Sequence, residues 1–300
     1  MYKNIKSAVV GSINMDMILT ADRIPDVGEN LQGNSYSYAN GGKGANQATA
    51  LARLGAEVKM IGSVGNDIFG EKLVSNLKEN NIGTQGIQIC DCSSGVAVIT
   101  VCNGDNSIML DKGANEKTDC SLIDSNMDLI NWADVLLFQF EIPMETVLDG
   151  AKKGKELGKK IAVNTAPAKK IPDELFKYCD IIIPNETEAS EIVGYELNEE
   201  NYEKTVKYFC DKGCLQTIIT LGEKGCVYND LKKIKRFGIY KTEVVDTTAA
   251  GDSFIASFLI SKQEGKSTDE AIKFASKVSS IVVSRHGAGT SIPTREGIEI

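Results

Sequence analysis

Residues 244–260 read VVDTTAAGDSFIASFLI, which places an acid, Asp252, where a helix-like apolar run begins, directly behind Ala249, Ala250 and Gly251. An Asp at a helix start is ordinary N-terminal chemistry. Three small residues before it leave backbone N–H groups uncovered, and such groups at a helix N-terminus attract anions. An acid beside an anion site has the parts needed to move a phosphoryl group onto a hydroxyl: a base for the proton and fixed dipoles for the transferred charge. Asp252 can be the base, and the N–H groups of Ala249, Ala250, Gly251 and Asp252 the dipoles. Asp is a weak base, with an unperturbed pKa of about 3.9. That suffices when proton transfer runs late in a loose transition state.

Other stretches carry chemistry with a structural reading beside it. In GSINMD, residues 11–16, Asn14 and Asp16 lie two apart. On an extended segment they point to one side, and an amide beside a carboxylate matches neighbouring hydroxyls of a polyol; Asn and Asp also favour plain turns. In NGGKGANQATALARLG, residues 40–55, Gly41, Gly42 and Gly44 permit a tight backbone, Asn46 falls in the first helical turn, and Lys43 is either a ligand group or a solvated cation. It is not a Walker A loop, because Ser37 stands where that loop needs its first Gly and no Ser or Thr follows Lys43. No G-x-G-x-x-G opens a helix, so the dinucleotide fingerprint is missing. Glu141 in FQFEIP sits just past an apolar strand, where open α/β sheets display ligand contacts. Asn185 and Glu188 in PNETEA form either a capping box or a polar pair for hydrated Mg²⁺ or phosphate. ITLGEKG, residues 219–225, is a glycine-punctuated turn that suits phosphates or a hairpin.

These groups need a scaffold. Short Val/Ile/Leu runs such as SAVVGSI, VKMIGSVG, DVLLFQF, KIAVN, DIII and TIITLG alternate with helical segments near 43–54, 69–80, 145–157 and 201–212. Unbroken apolar strands imply a mainly parallel sheet with helices on both faces. Two regions, about 13–40 and 94–113, lack helices; the second reads as a hairpin turning at Asn103-Gly104-Asp105, and together they suit a small antiparallel β lid on one body spanning 1–300. The net charge of -8 and the absence of a Lys/Arg block argue against a nucleic-acid partner. No apolar run nears the roughly 18 residues of a membrane span, and no signal-like segment opens the chain, so a cytoplasmic location is expected. The eight cysteines lack zinc-site spacing, with His286 the sole histidine, and read as reduced, packed thiols.

GSINMD, GGKGANQA, GVAVI, GAN, NTAPA, PNETEA, TLGEKG and DTTAAGDSF occur in an order that closely resembles the ribokinase family, within the PfkB-type carbohydrate kinases. GGKGANQA and DTTAAGD match that family's two signature regions. The resemblance covers nearly the whole chain. It implies a ribokinase-like three-layer α/β/α fold with a β lid, and ATP-dependent phosphorylation of D-ribose at its 5-hydroxyl. By the same resemblance, Asn14, Asp16, Gly42, Lys43, Asn46 and Glu141 contact the sugar, Ile99 and Leu110 cover its apolar face from the lid, and Asp252 is the base. Asn185, Thr220, Leu221, Gly222, Glu223, Lys224, Gly225 and Gly251 match nucleotide contacts. Ser276 falls at the adenine-side position, where the family often has His or Asn. Glu188 matches the acid that holds Mg²⁺ through water. Asp246, Thr248, Val282, Arg285, Gly287 and Ser291 match a monovalent-cation site, usually K⁺, and His286 is incidental within it. Ala249 stands where the wider family has Gly. A homodimer built through the lid is implied as well. A sister kinase acting on 2-deoxyribose or another sugar, and a sugar- or nucleotide-binding protein without turnover, are the alternatives. Asn14 and Asp16 favour ribose, because a site built around a hydroxyl rejects the analogue that lacks it.

Overall fold

The structure is a computed structural model that describes residues 5–102 and 105–298. The described residues form thirteen strands: β1 Lys6–Val10, β2 Asn14–Thr20, β3 Ser35–Gly41, β4 Glu57–Gly65, β5 Ile82–Cys90, β6 Gly95–Cys102, β7 Asp105–Asp111, β8 Val135–Phe138, β9 Lys160–Asn164, β10 Ile181–Ile183, β11 Gln216–Thr220, β12 Cys226–Asn229 and β13 Ile234–Phe237. Nine form one sheet in the order β13-β12-β11-β10-β9-β8-β1-β4-β5. From β11 to β5 every neighbour is parallel, while β12 and β13 add an antiparallel edge.

The apolar runs explain the layers. All residues of β8 and β10 are buried. Successive residues of each central strand enter opposite cores: Val9, Leu137, Ala162 and Ile218 pack in one, and Val10, Phe138, Val163 and Ile219 in the other. The first core takes Leu51 from the helix Lys43–Arg53, Phe258 from Ala250–Gln263 and Ile272 from Thr268–Val282. The second takes Val147 from Met144–Glu156 and Phe209 from Tyr202–Lys212. A strand buried on both faces must be apolar without interruption, which is why these segments show no alternation.

A second sheet runs β3-β2-β6-β7. Its outer pairs are antiparallel, but β2 and β6 are parallel. The two helix-free regions are therefore joined by a parallel seam, which the sequence reading as antiparallel excursions does not contain. The parallel pairing arises because 74 residues, including β4 and β5, separate the end of β2 from the start of β6. Of the expected hairpin turn, Asn103 and Gly104 lie outside the described residues.

Because β1 neighbours both β4 and β8, the chain order reverses at the centre of the large sheet. Ligands of open α/β sheets sit beyond the strand carboxyl ends at such a switch point. The segments that follow β1, β8, β9, β10 and β11 carry Ser12–Asn14, Gln139–Glu141, Thr165, Asn185 and Leu221–Gly225.

Candidate active site

The centre is the N-terminus of the helix Ala250–Gln263. Ala249 is its N-cap at φ 60°, a left-handed conformation rare for a residue with a Cβ. The N–H of Ala250 donates to the Thr247 carbonyl at 3.2 Å, closing a turn with positive φ at its third residue. That turn geometry favours Gly, yet here a residue with a Cβ, Ala249, adopts it. The Ala250 N–H is thereby engaged in the turn. No such turn bond is made by the N–H groups of Ala249, Gly251 and Asp252. Gly251 is exposed, and nothing lies within 4 Å of the place a Cβ would take.

Asp252 is almost fully buried. Its Oδ1 accepts from Gln47 Nε2 at 2.9 Å, and its Oδ2 from Asn46 Nδ2 at 3.3 Å. Both donors lie on the helix Lys43–Arg53, which starts where Gly42 adopts φ 88°. A Cβ at Gly42 would come within 2.7 Å of the Asn14 nitrogen, so the close approach of this loop to β2 requires Gly. Glu141 is fixed at the same helix start: its Oε2 accepts from the Lys43 N–H at 3.1 Å and from Ser12 Oγ.

Four carboxylates, of Asp16, Glu141, Glu188 and Asp252, and the Lys43 ammonium interact here. Burial, then the charges of Glu141 and Asp252, push Asp16 up to about 7. Burial by itself lowers Lys43, but the carboxylates of Asp252, Glu141 and Glu188 outweigh it and hold the ammonium above its ordinary value. Asn14 is held by Asn115, whose Nδ2 donates to Asn14 Oδ1 at 2.6 Å. The lid register pairs Asp16 with Ala97, Ala97 with Leu110, and Ile18 with Ile99. Ile99 and Leu110 therefore share the face of Asn14 and Asp16.

Two cavities meet at this point. One, of about 240 Å³, is lined by Lys43, Asn164, Asn185, Glu188, Ala249 and Asp252 among others. The other, of about 420 Å³, runs from the turn residues Gly222, Glu223 and Gly225 past Tyr240 and Val244 to Ser276. Thr220, Thr247 and Gly251 line both. Asn185 and Glu188 do form the capping box: Glu188 N donates to Asn185 Oδ1 at 2.8 Å, and Asn185 N to Glu188 Oε2 at 3.0 Å. The structural and cavity-lining readings of this pair hold together. Burial raises the Glu188 pKa, opposed by its bonds from Asn185 and Thr165. The 219–225 segment likewise starts a hairpin, β11 to β12, and lines a cavity. Leu221 differs, since its side chain packs in the core, and Lys224 does not line the cavity.

The expected cation positions come from two segments that the fold brings together. Asp246 Oδ1 accepts from the Thr248 N–H at 2.9 Å and Oδ2 from the Gly287 N–H at 2.9 Å. These bonds keep the Asp246 carboxyl below its usual range against the opposing effect of burial. The Val282 carbonyl accepts from the Arg285 N–H at 3.0 Å, and the Ser291 carbonyl from Arg285 Nη1 at 3.3 Å. His286 is exposed. Sequence reasoning assigned no role to Ser12, Gln47, Asn115, Gln139 and Asn164. Gln139 had a signal, a polar residue inside LLFQF. The others stood inside quoted motifs without a partner to define them.

The profile of the pfkB family carbohydrate kinases matches residues 4–295. The ribokinase of Haemophilus influenzae is 39% identical over 291 residues, covering 96% of this chain and 95% of that protein. A deoxyribokinase of Salmonella typhi is 33% identical over 293 residues, covering 96% of each. The structure of Arabidopsis thaliana ribokinase complexed with ribose and ATP superimposes with a TM-score of 0.90 at 31% identity, covering 98% of this chain and 97% of that one. With the family's profile running almost end to end over a fold that assembles its two signature regions around Asp252, the chain belongs to the pfkB family of carbohydrate kinases.

Proposed function

We propose that the chain is a ribokinase, which transfers the γ-phosphoryl group of ATP to O5 of D-ribose. The observation that carries this reading is Asp252, an acid in a helix first turn that lines the smaller cavity next to Gly251, which lines both. The larger cavity takes the nucleotide, with Ser276 on the adenine side and the 220–225 turn along it. Asn14, Asp16, Lys43, Asn46 and Glu141 hold the sugar, and the lid covers it with Ile99 and Leu110. Asp252 accepts the proton of the 5-hydroxyl as the N–H groups of Ala249, Gly251 and Asp252 receive the developing charge. Lys43 balances the carboxylates and the incoming phosphate. Mg²⁺, when bound with the nucleotide, neutralises phosphate charge. Glu188 fits a water-mediated role in holding it: Oε1 accepts one bond, from Asn185 Nδ2, leaving capacity for a water. K⁺ suits the Asp246–Thr248 turn and the Arg285–Ser291 loop, whose carbonyls each retain an acceptor site.

The chain forms one domain with a lid and pairs through that lid. Among the described residues no helix is long and apolar enough to cross a membrane. All eight cysteines are free thiols, which suits a reducing, cytoplasmic compartment. The similarity to a deoxyribokinase supports 2-deoxyribose as a second acceptor. A coupled ADP-release assay across pentoses and hexoses decides between them. The expected result is a clear preference in kcat/KM for D-ribose; equal values for 2-deoxyribose sink the assignment. Asp252→Asn is expected to lower kcat by about 10²–10⁴-fold while ribose still binds in calorimetry. An active variant would refute the role of Asp252 as base.

A further inference from the structure

Behind Asp252 lies a fully buried amide relay. Gln47 and Gln139 are inaccessible to solvent, and Asn164 nearly so. Gln139 Nε2 donates to Gln47 Oε1 at 2.6 Å. Gln47 Nε2 donates to Asp252 Oδ1 at 2.9 Å and to Asn164 Oδ1 at 3.0 Å. Asn164 is anchored in turn by its Nδ2, which donates to the Ile183 carbonyl at 3.0 Å. The orientation of each amide follows from its neighbour. Were Gln47 flipped, its oxygen would face the Asp252 carboxylate and Asn164 Oδ1 and its NH₂ the Gln139 NH₂, three repulsive contacts in place of three bonds. Gln139 Oε1 is left without a partner, a buried polar atom that a fold retains only at a cost. It occupies the space that a Cβ at Gly11 would fill.

We propose that Gln47 is a positioning residue for Asp252, set in its working orientation by Gln139 and Asn164. The proposal rests on the reading of Asp252 as base. The carboxylate has two side-chain anchors, Gln47 and Asn46. Asn46 is half-buried and holds the carboxylate at the longer distance, 3.3 Å. When its amide turns to the sugar, Gln47 is the remaining bond that fixes the Asp252 rotamer. Gln47 lines neither cavity, so it touches neither substrate. Its effect falls on the chemical step and leaves binding alone. A small displacement of a catalytic group is enough to slow a reaction that depends on positioning.

The test compares Gln47→Met, Gln139→Leu, the double variant and Asp252→Asn, with kcat, both KM values and the melting temperature read for each. Gln47→Met keeps the volume and removes the donor. Its expected effect is a fall in kcat of about ten- to hundred-fold, the worth of a hydrogen bond to a charged group, with both KM values within about twofold of the parent. Gln139→Leu acts only through Gln47, so it lowers kcat less, and the double variant is no slower than Gln47→Met. A folded Gln47→Met with unchanged kcat overturns the proposal, as does a raised KM at constant kcat. If Gln47→Met does not fold, Gln139→Leu decides: a lowered kcat at constant KM supports the relay and an unchanged kcat ends it. Loss of activity in Asp252→Asn beside a fully active Gln47→Met removes the relay and leaves the ribokinase reading intact. An active Asp252→Asn removes both.

Discussion

At the scale of single residues, Asp16 is the group whose titration makes the sharpest prediction. Its carboxyl is pushed up to about 7 by burial and by Glu141 and Asp252. A carboxyl whose folded pKa lies above its unfolded value binds more protons folded than unfolded over the window between them. Its contribution to stability therefore falls as pH rises from about 4 to about 7, by something on the order of 2–4 kcal/mol. Sugar hydroxyls that donate to the carboxylate favour its ionised form. The expected outcome is that ribose KM rises as pH falls below about 7, while Asp16→Asn binds ribose weakly at every pH and loses that dependence. Asp16→Asn should also melt higher than the parent by more at pH 8 than at pH 5. Calorimetry and KM against pH check both; a parent KM that is flat from pH 5 to 8 counts against the assignment. Ala249 makes a different point. It takes a conformation at φ 60° that Gly adopts without cost, and the turn tolerates it because Ser253 Oγ and the Ser253 N–H both bond its carbonyl.

At the scale of elements, the segment 282–291, proposed to hold a cation, is tied to the chain before the helix Ala250–Gln263 by the Val245 and Asp246 N–H groups, which donate to the Val283 carbonyl at 2.7 and 3.2 Å. Asp246 links the turn before that helix to Gly287, and Arg53 Nη1 ties the Gly289 and Ile292 carbonyls to the helix Lys43–Arg53. A cation at this junction would steady the turn that presents the Ala249 and Gly251 N–H groups. Assays in K⁺, Na⁺ and Tris are expected to show the highest kcat in K⁺, and Asp246→Asn to blunt the difference. Equal rates in all three would remove K⁺ from the mechanism.

At the scale of the molecule, the small sheet exposes apolar residues on both faces. Ile108 (56% exposed) lies on the face of Asp16, whereas Tyr36 (55%) and Met109 (70%) point the other way. The proposed pairing would use the face of Tyr36 and Met109, because exposed apolar patches often mark an interface. Light scattering is expected to give twice the chain mass, and the pair Tyr36→Lys and Met109→Lys to give monomers. A monomeric parent protein would overturn the pairing.

The sequence determined the three-layer architecture, because strands buried on both sides must be continuously apolar. It also marked Asp252, the GGKGANQA loop and the residues beyond the strand ends, because those positions depend on local chemistry: a helix N-terminus, glycine conformations, acids after apolar runs. Tertiary structure decided which of those groups meet. Gln47 and Asp252 are 205 residues apart, as is plain only once the fold pairs them. The parallel seam between β2 and β6, the engagement of the Ala250 N–H in a turn and the burial of Leu221 are likewise absent from the sequence pattern. Hydrogen-bond partners and burial are set by contacts between distant segments, and local residue types constrain those contacts only weakly.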